Sequence, residues 1–198
     1  LDTHQLITIC LYSALVLIVP GPTNTLLFSS GISVGLARTL PLLLAEGAGY
    51  VIAISVWGVS LLAFAAEHPQ ILSMIKLACA SYLLLLAAKM WARGTLEEDQ
   101  RSKPVTWHDV IVATLLNPKA FLLASTVFPL QTFRNANHGC VAFGAFLLVL
   151  VPIGVGWASL GRVTRILASG PRHITALFRF ASVLLVLFSG SLLYSLVK

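Results

Sequence analysis

The sequence predicts an all-α membrane protein of six transmembrane helices, built as two inverted three-helix repeats with the first helix of each repeat broken by proline. Three observations lead there. The chain is 58% apolar and only 10% charged, with a mean hydropathy of +0.91, whereas a soluble domain carries about 25% charge. Its apolar residues gather into six long runs, each near the about 20 residues that a helix needs to cross a ~30 Å hydrocarbon core. One hydrophilic stretch near the middle divides those runs three and three. The period-two alternation of a barrel is absent, and isolated strands would leave backbone polar groups unpaired in lipid.

The first span is expected over residues 5–30, interrupted by Pro20, Gly21 and Pro22. Asp2 and His4 stand where a cleaved leader would carry Lys or Arg, so this run reads as a retained helix. The second span is expected over 39–66 and the third over 71–91. The stretch 93–108 contains Glu97, Glu98, Asp99, Arg101, Lys103 and Pro104 and forms the connecting loop. The fourth span follows over 109–130, the fifth over 140–161 and the sixth over 180–197. The chain is thus one transporter domain, residues 1–198, with a first repeat at 1–92, a loop at 93–108 and a second repeat at 109–198.

Basic residues set the orientation. With six spans, one side receives Arg38, Lys89, Arg93, Arg101, Lys103, Arg162, Arg165, Arg172 and Arg179, and the other only Arg134 and Lys198. The richer side is expected to be cytoplasmic, which places both termini on the periplasmic side. Trp91, Trp107 and Trp157 fall near the cytoplasmic boundary, as an aromatic belt requires.

The net charge of +6 is explained by this topology and not by nucleic acid, because the basic residues punctuate the apolar runs and form no common face. Cys10, Cys79 and Cys140 make no CxxC pair and read as inert thiols. His4, His68, His108, His138 and His173 lie in loops or at span ends without ligand spacing. No metal site and no cofactor are expected, and no nucleotide-binding or catalytic motif is present. An enzyme is therefore disfavoured.

Function is sought in the broken spans. Pro22 and Pro118 are 96 residues apart, close to half the chain length of 198. Paired interruptions at matching places of two inverted halves point to a midplane binding site in transporters. A proline removes one N–H and blocks the carbonyl four residues back, so Pro20 and Pro22 are expected to release the carbonyls of Val16 and Ile18. Pro118 is expected to release that of Thr114. The half-helix starting near Thr23, Asn24 and Thr25 offers unpaired N–H groups. Free carbonyls suit an ammonium or a cation, and free N–H groups suit a carboxylate. An amino acid carries both. Pro20, Gly21, Pro22 and Asn24, together with Asn117, Pro118 and Lys119, are thus the candidate substrate-binding frame.

Ionisable groups inside spans need a reason, since each costs at least about 2.5–3.5 kcal/mol at the bilayer centre on insertion scales. Glu46 lies beside Gly47 and Gly49, where another helix can approach closely. It is the candidate proton or cation coupling site, and it either pairs with Lys119 or binds protons when unpaired. Lys76 lies nearer the outer end of the third span, where snorkelling is an equal explanation. Gly31, Gly35, Gly154, Gly156 and Gly161 are expected at helix contacts.

These residues resemble the LysE/RhtB amino-acid exporters of bacterial inner membranes, and the likeness covers nearly the whole chain. Pro20, Gly21 and Pro22 followed by Asn24 look like that family's PGP-N signature, with Gly31, Gly35 and Arg38 at the spacing that follows it. Lys76, Ala80, Tyr82, Leu83 and Lys89 resemble its lysine–tyrosine segment, and Asn117, Pro118, Lys119 and Ala120 resemble its NPKA motif. The sequence differs from the family pattern at Thr23, at Glu46 and at Tyr50. The resemblance implies a six-helix exporter of amino acids or close derivatives in the bacterial inner membrane, driven by proton antiport through alternating access, with a homodimer as one assembly state. Its partners are then a small amino-acid substrate and the lipid bilayer. Two rival readings use the same spans: a metal or lipid translocator, favoured by clustered soft ligands, and a non-transporting membrane assembly factor, favoured by a large docking region.

Overall fold

A computed structural model describes residues 1–64 and 104–166, with scattered helical positions at 70–91 and 179–194. Among the described residues the secondary structure is helical, with no strand.

Helix α1 (Thr3–Ile18) opens on a capping box. The Asp2 carboxylate accepts from the Gln5 N–H at 2.7 Å, and the Gln5 side chain accepts from the Asp2 N–H at 3.2 Å, so each side chain satisfies the other residue's backbone donor. The helix stops because Val19 turns extended (φ −62°, ψ 125°) ahead of Pro20, which has no N–H to continue the ladder. Helix α2 (Pro22–Ser33) begins with Pro22 in its first turn, where a missing N–H costs nothing. The two half-helices are bent by 63°.

Gly35 then takes φ +82°, a left-handed conformation that glycine adopts without a Cβ penalty. It turns the chain into α3 (Leu36–Thr39) and α4 (Leu42–Phe64). Helix α5 (Trp107–Leu115) starts on a second capping box, formed by Thr106 and Asp109. Helix α6 (Pro118–Leu122) again has proline in its first turn and runs on as a π-helical turn, Leu123–Val127. The α5 and α6 axes are bent by 46°. A 3₁₀ turn, Leu130–Phe133, leads into α7 (Ala136–Ile166). At 31 residues, α7 is ~46 Å long at the usual rise and exceeds the hydrocarbon core. Pro152 lies within it without ending it.

By length and composition, the stretch Leu36–Ala63 and α7 can each cross a membrane, and the two bent pairs can do so as broken spans. The first, second, fourth and fifth expected spans are therefore present, each end within five residues of its expected place. Most of the third and sixth spans, including Lys76, and the stretch 92–103 lie outside the described residues. The described positions there do meet. Ser182 donates to the Ala87 carbonyl at 2.8 Å and Ser189 to the Ala80 carbonyl at 2.9 Å, while Arg179 stacks over Trp91 at 5.4 Å. One index rises as the other falls, so these positions run antiparallel.

The core is organised by α7, whose buried face is Gly139, Ala142, Phe146, Leu150, Gly154, Ala158 and Gly161, a helical stripe ending in small residues. That small end lets α2 lie against it. A Cβ on Gly31 would strike the Ala158 carbonyl, and one on Gly161 would strike the Phe28 carbonyl, so both glycines permit backbone contact. Arg165 then reaches the Ser33 carbonyl at the end of α2, at 3.2 Å. Gly154 is likewise a contact position, whereas Gly35 and Gly156 have nothing near a Cβ site. The first of these serves a turn, which glycine spacing alone does not distinguish from helix packing.

Candidate functional site

The two breaks meet in the interior. In the first, Asn24 is buried and its Nδ2 donates to two carbonyls of the broken turn, Leu17 at 2.7 Å and Val19 at 3.0 Å. Carbonyls exposed by the break are thus held by a side chain from the half-helix that follows it. The carbonyls that Asn24 holds are those of Leu17 and Val19, next to the Val16 and Ile18 carbonyls that the prolines are expected to release. Thr25 closes the new helix by donating both its N–H and its hydroxyl to the Gly21 carbonyl, each at 2.9 Å.

In the second break, Leu116 and Asn117 leave the helical region. The Asn117 Oδ1 accepts from the Lys119 N–H at 3.1 Å, capping α6. The Thr114 carbonyl is not released: the Asn117 N–H donates to it at 3.0 Å. The helix tightens in its last turn, and that supplies the partner which Pro118 cannot.

Asn117 joins the halves. Its Nδ2 donates to Thr23 Oγ1 at 3.2 Å and to the Tyr50 hydroxyl oxygen at 2.9 Å. Thr23 Oγ1 also lies 3.5 Å from Thr114 Oγ1, which donates to the Val110 carbonyl at 2.7 Å. Gly49 lets α5 approach α4 here, since its Cβ would fall 2.8 Å from Thr114 Cβ. Tyr50 is fully buried, its ring edge-on to Phe146 at 5.7 Å. Lys119, only 6% exposed, crosses the junction and donates through Nζ to the Val19 carbonyl.

Glu46 lies one turn before Tyr50 on the same face of α4. It is 1% exposed, and its Oε2 has no hydrogen-bond partner. The carboxyl points at Gly154 of α7, where a Cβ would come within 3.1 Å of Oε2 and 3.4 Å of Leu27 Cδ1. It makes no hydrogen bond with Lys119, whose ammonium is turned to the first break instead. The two charges are still close enough to act on each other electrostatically.

The structure therefore gathers Pro20, Gly21, Pro22 and Asn24 with Asn117, Pro118 and Lys119, and sets Glu46 in the adjoining wall. Sequence reasoning named Thr23, Tyr50 and Thr114 but gave their side chains no place in the site. Tyr50 had a signal in its four-residue spacing from Glu46, and the two threonines had none beyond their places near the prolines. Among the described residues, no three His, Cys, Asp or Glu side chains converge as metal ligands would.

The family model for the LysE type translocator matches residues 14–196. Among curated proteins, the chain is similar to the cysteine/O-acetylserine efflux proteins of Escherichia coli strain K12, Shigella flexneri serotype 5b and Shigella sonnei strain Ss046. It is 26% identical to each over 157 residues, covering 77% of this chain and 80% of the relative. No solved structure matches it.

Proposed function

This chain belongs to the LysE-type translocators, and we propose that it is a secondary exporter of amino acids or close derivatives, working by proton antiport and alternating access across the bacterial inner membrane. The observation that carries this reading is the junction itself. Two proline-broken spans bring backbone carbonyls, amide and hydroxyl groups and one ammonium together inside an apolar bundle. Such discontinuous helices supply both acceptors for an ammonium and donors for a carboxylate. The names of the relatives suggest cysteine and O-acetylserine as first substrates to try. Pro20, Gly21, Pro22, Asn24, Asn117, Pro118 and Lys119 form the binding frame in this proposal.

Glu46 is the proposed proton site. A carboxyl whose Oε2 has no hydrogen-bond partner, set beside leucines and a glycine, is a place where charge is costly and a proton is useful. The two halves work as inverted repeats, and both termini face the periplasm.

Counterflow in proteoliposomes tests the reading. Vesicles loaded with unlabelled cysteine, O-acetylserine or another amino acid should accumulate the labelled compound transiently. Absence of trans-stimulated uptake across the whole amino-acid panel would overturn it.

A further inference from the structure

We propose that Lys119 is a tethered stand-in for the substrate's ammonium: with the site empty, its Nζ occupies the Val19 carbonyl of the first break, and an arriving amino acid displaces it. This rests on reading the junction as the substrate site.

Three observations carry it. The first is the partner that Lys119 selects. A buried ammonium is normally matched to an acid, and Glu46 is near enough to act on Lys119 electrostatically. The hydrogen bond of Lys119 Nζ nevertheless goes to a backbone carbonyl 100 residues away in sequence and not to the carboxylate. The second is Gly21. Its φ of −153° is extended backbone that any residue adopts, so conformation does not call for glycine there. A Cβ there would lie 3.1 Å from Lys119 Cε and 3.2 Å from Nζ, so the end of the lysine would have to shift by a few tenths of an ångström. Gly21 thus lets Lys119 lie close against the first break. The third is the chemistry of the berth, which is a carbonyl at a helix break and is what an amino acid's ammonium would need.

A physical requirement explains the arrangement. A carrier must return with its site empty and closed to water on both sides. Carbonyls at a broken helix then have no solvent to bond, and each unpaired group buried in the membrane is costly. Asn24 supports part of this set, and Lys119 supplies the charged donor that substrate supplies in the loaded state. Substrate and lysine thus compete for one acceptor.

Two variants in nanodiscs separate this from a structural role. Lys119→Ala opens a cavity beside the Val19 carbonyl. Millimolar ethylammonium, with its N–H donors and short stem, should raise the melting temperature of Lys119→Ala and raise the half-saturation constant for O-acetylserine in that variant. It should do neither in the wild type, and tetramethylammonium, which has no N–H, should have no effect on either protein. Accumulation of Lys119→Ala only when cells are grown with ethylammonium counts as the same rescue. Lys119→Met fills the space without a donor and should show no ethylammonium response. Lack of any ethylammonium response in Lys119→Ala, or an equal response in Lys119→Met, overturns the proposal. If no amino acid binds the wild type, the exporter reading fails while the ethylammonium response of Lys119→Ala still decides the role of Lys119.

Discussion

Asn24 holds the Leu17 and Val19 carbonyls through one amide nitrogen. Asn24→Ala removes that donor from the buried Leu17 carbonyl, while the Val19 carbonyl keeps Lys119 Nζ, and an unsatisfied buried polar group costs about 1–3 kcal/mol. The variant should lose stability in that range, read by unfolding in mixed micelles. No loss would mean that water or another donor reaches the break. Glu46 makes a different kind of prediction. Glu46→Gln keeps shape and hydrogen-bonding capacity but cannot titrate. If Glu46 carries the coupling proton, the variant should still exchange substrate in counterflow and lose export driven by a pH gradient. Normal gradient-driven export by a folded Glu46→Gln protein would remove Glu46 from coupling. Glu46 and Lys119 were both legible in the sequence, since an ionisable group in a span announces itself by its cost. Thr23, Tyr50 and Thr114 were not. Thr can bond its own helix, as Thr114 does to Val110, and Tyr can serve as core, so neither residue type signals a site by its presence.

At the scale of elements, the prolines were the clearest signal. Pro22 and Pro118 both fall in the first turn of a half-helix, so each marks a restart and not a mere kink. The sequence did not say where the released carbonyls would go. That depends on how far the preceding helix unwinds: α1 stops before Val19, while α5 tightens and keeps the Thr114 carbonyl bonded. Pro22→Ala and Pro118→Ala restore one N–H each and favour a continuous helix. Both should reduce counterflow several-fold more than they reduce the amount of folded protein in the membrane. Equal exchange by both variants would leave the breaks without a transport role. The contact of α2 with α7 makes a second prediction. Gly31 and Gly161 each face a carbonyl on the opposing helix, and neither backbone can yield as a flexible side chain would. Gly31→Leu should therefore destabilise by more than the about 1–3 kcal/mol of ordinary overpacking, measured as loss of folded protein on mild heating in detergent.

For the whole molecule, apolar run lengths located four spans to within a few residues, because lipid leaves the backbone little choice but helix. The antiparallel contact of positions 80 and 87 with 189 and 182 was not legible. Buried serines bonding to a neighbour's backbone look no different in sequence from serines bonding to their own helix. Orientation rests on charge. With six spans, nine Lys and Arg residues fall on one side and two on the other. Lys and Arg in short loops resist translocation, so the richer side is expected to stay cytoplasmic. The central stretch 93–108 carries Arg93, Arg101 and Lys103 and is expected on that side. A single cysteine placed at Ser102, in a background where Cys10, Cys79 and Cys140 are changed to serine, reports on it directly. A membrane-impermeant maleimide added to intact cells should leave that cysteine unlabelled, and the same reagent should label it after the cells are opened. Rapid labelling in intact cells would invert the molecule.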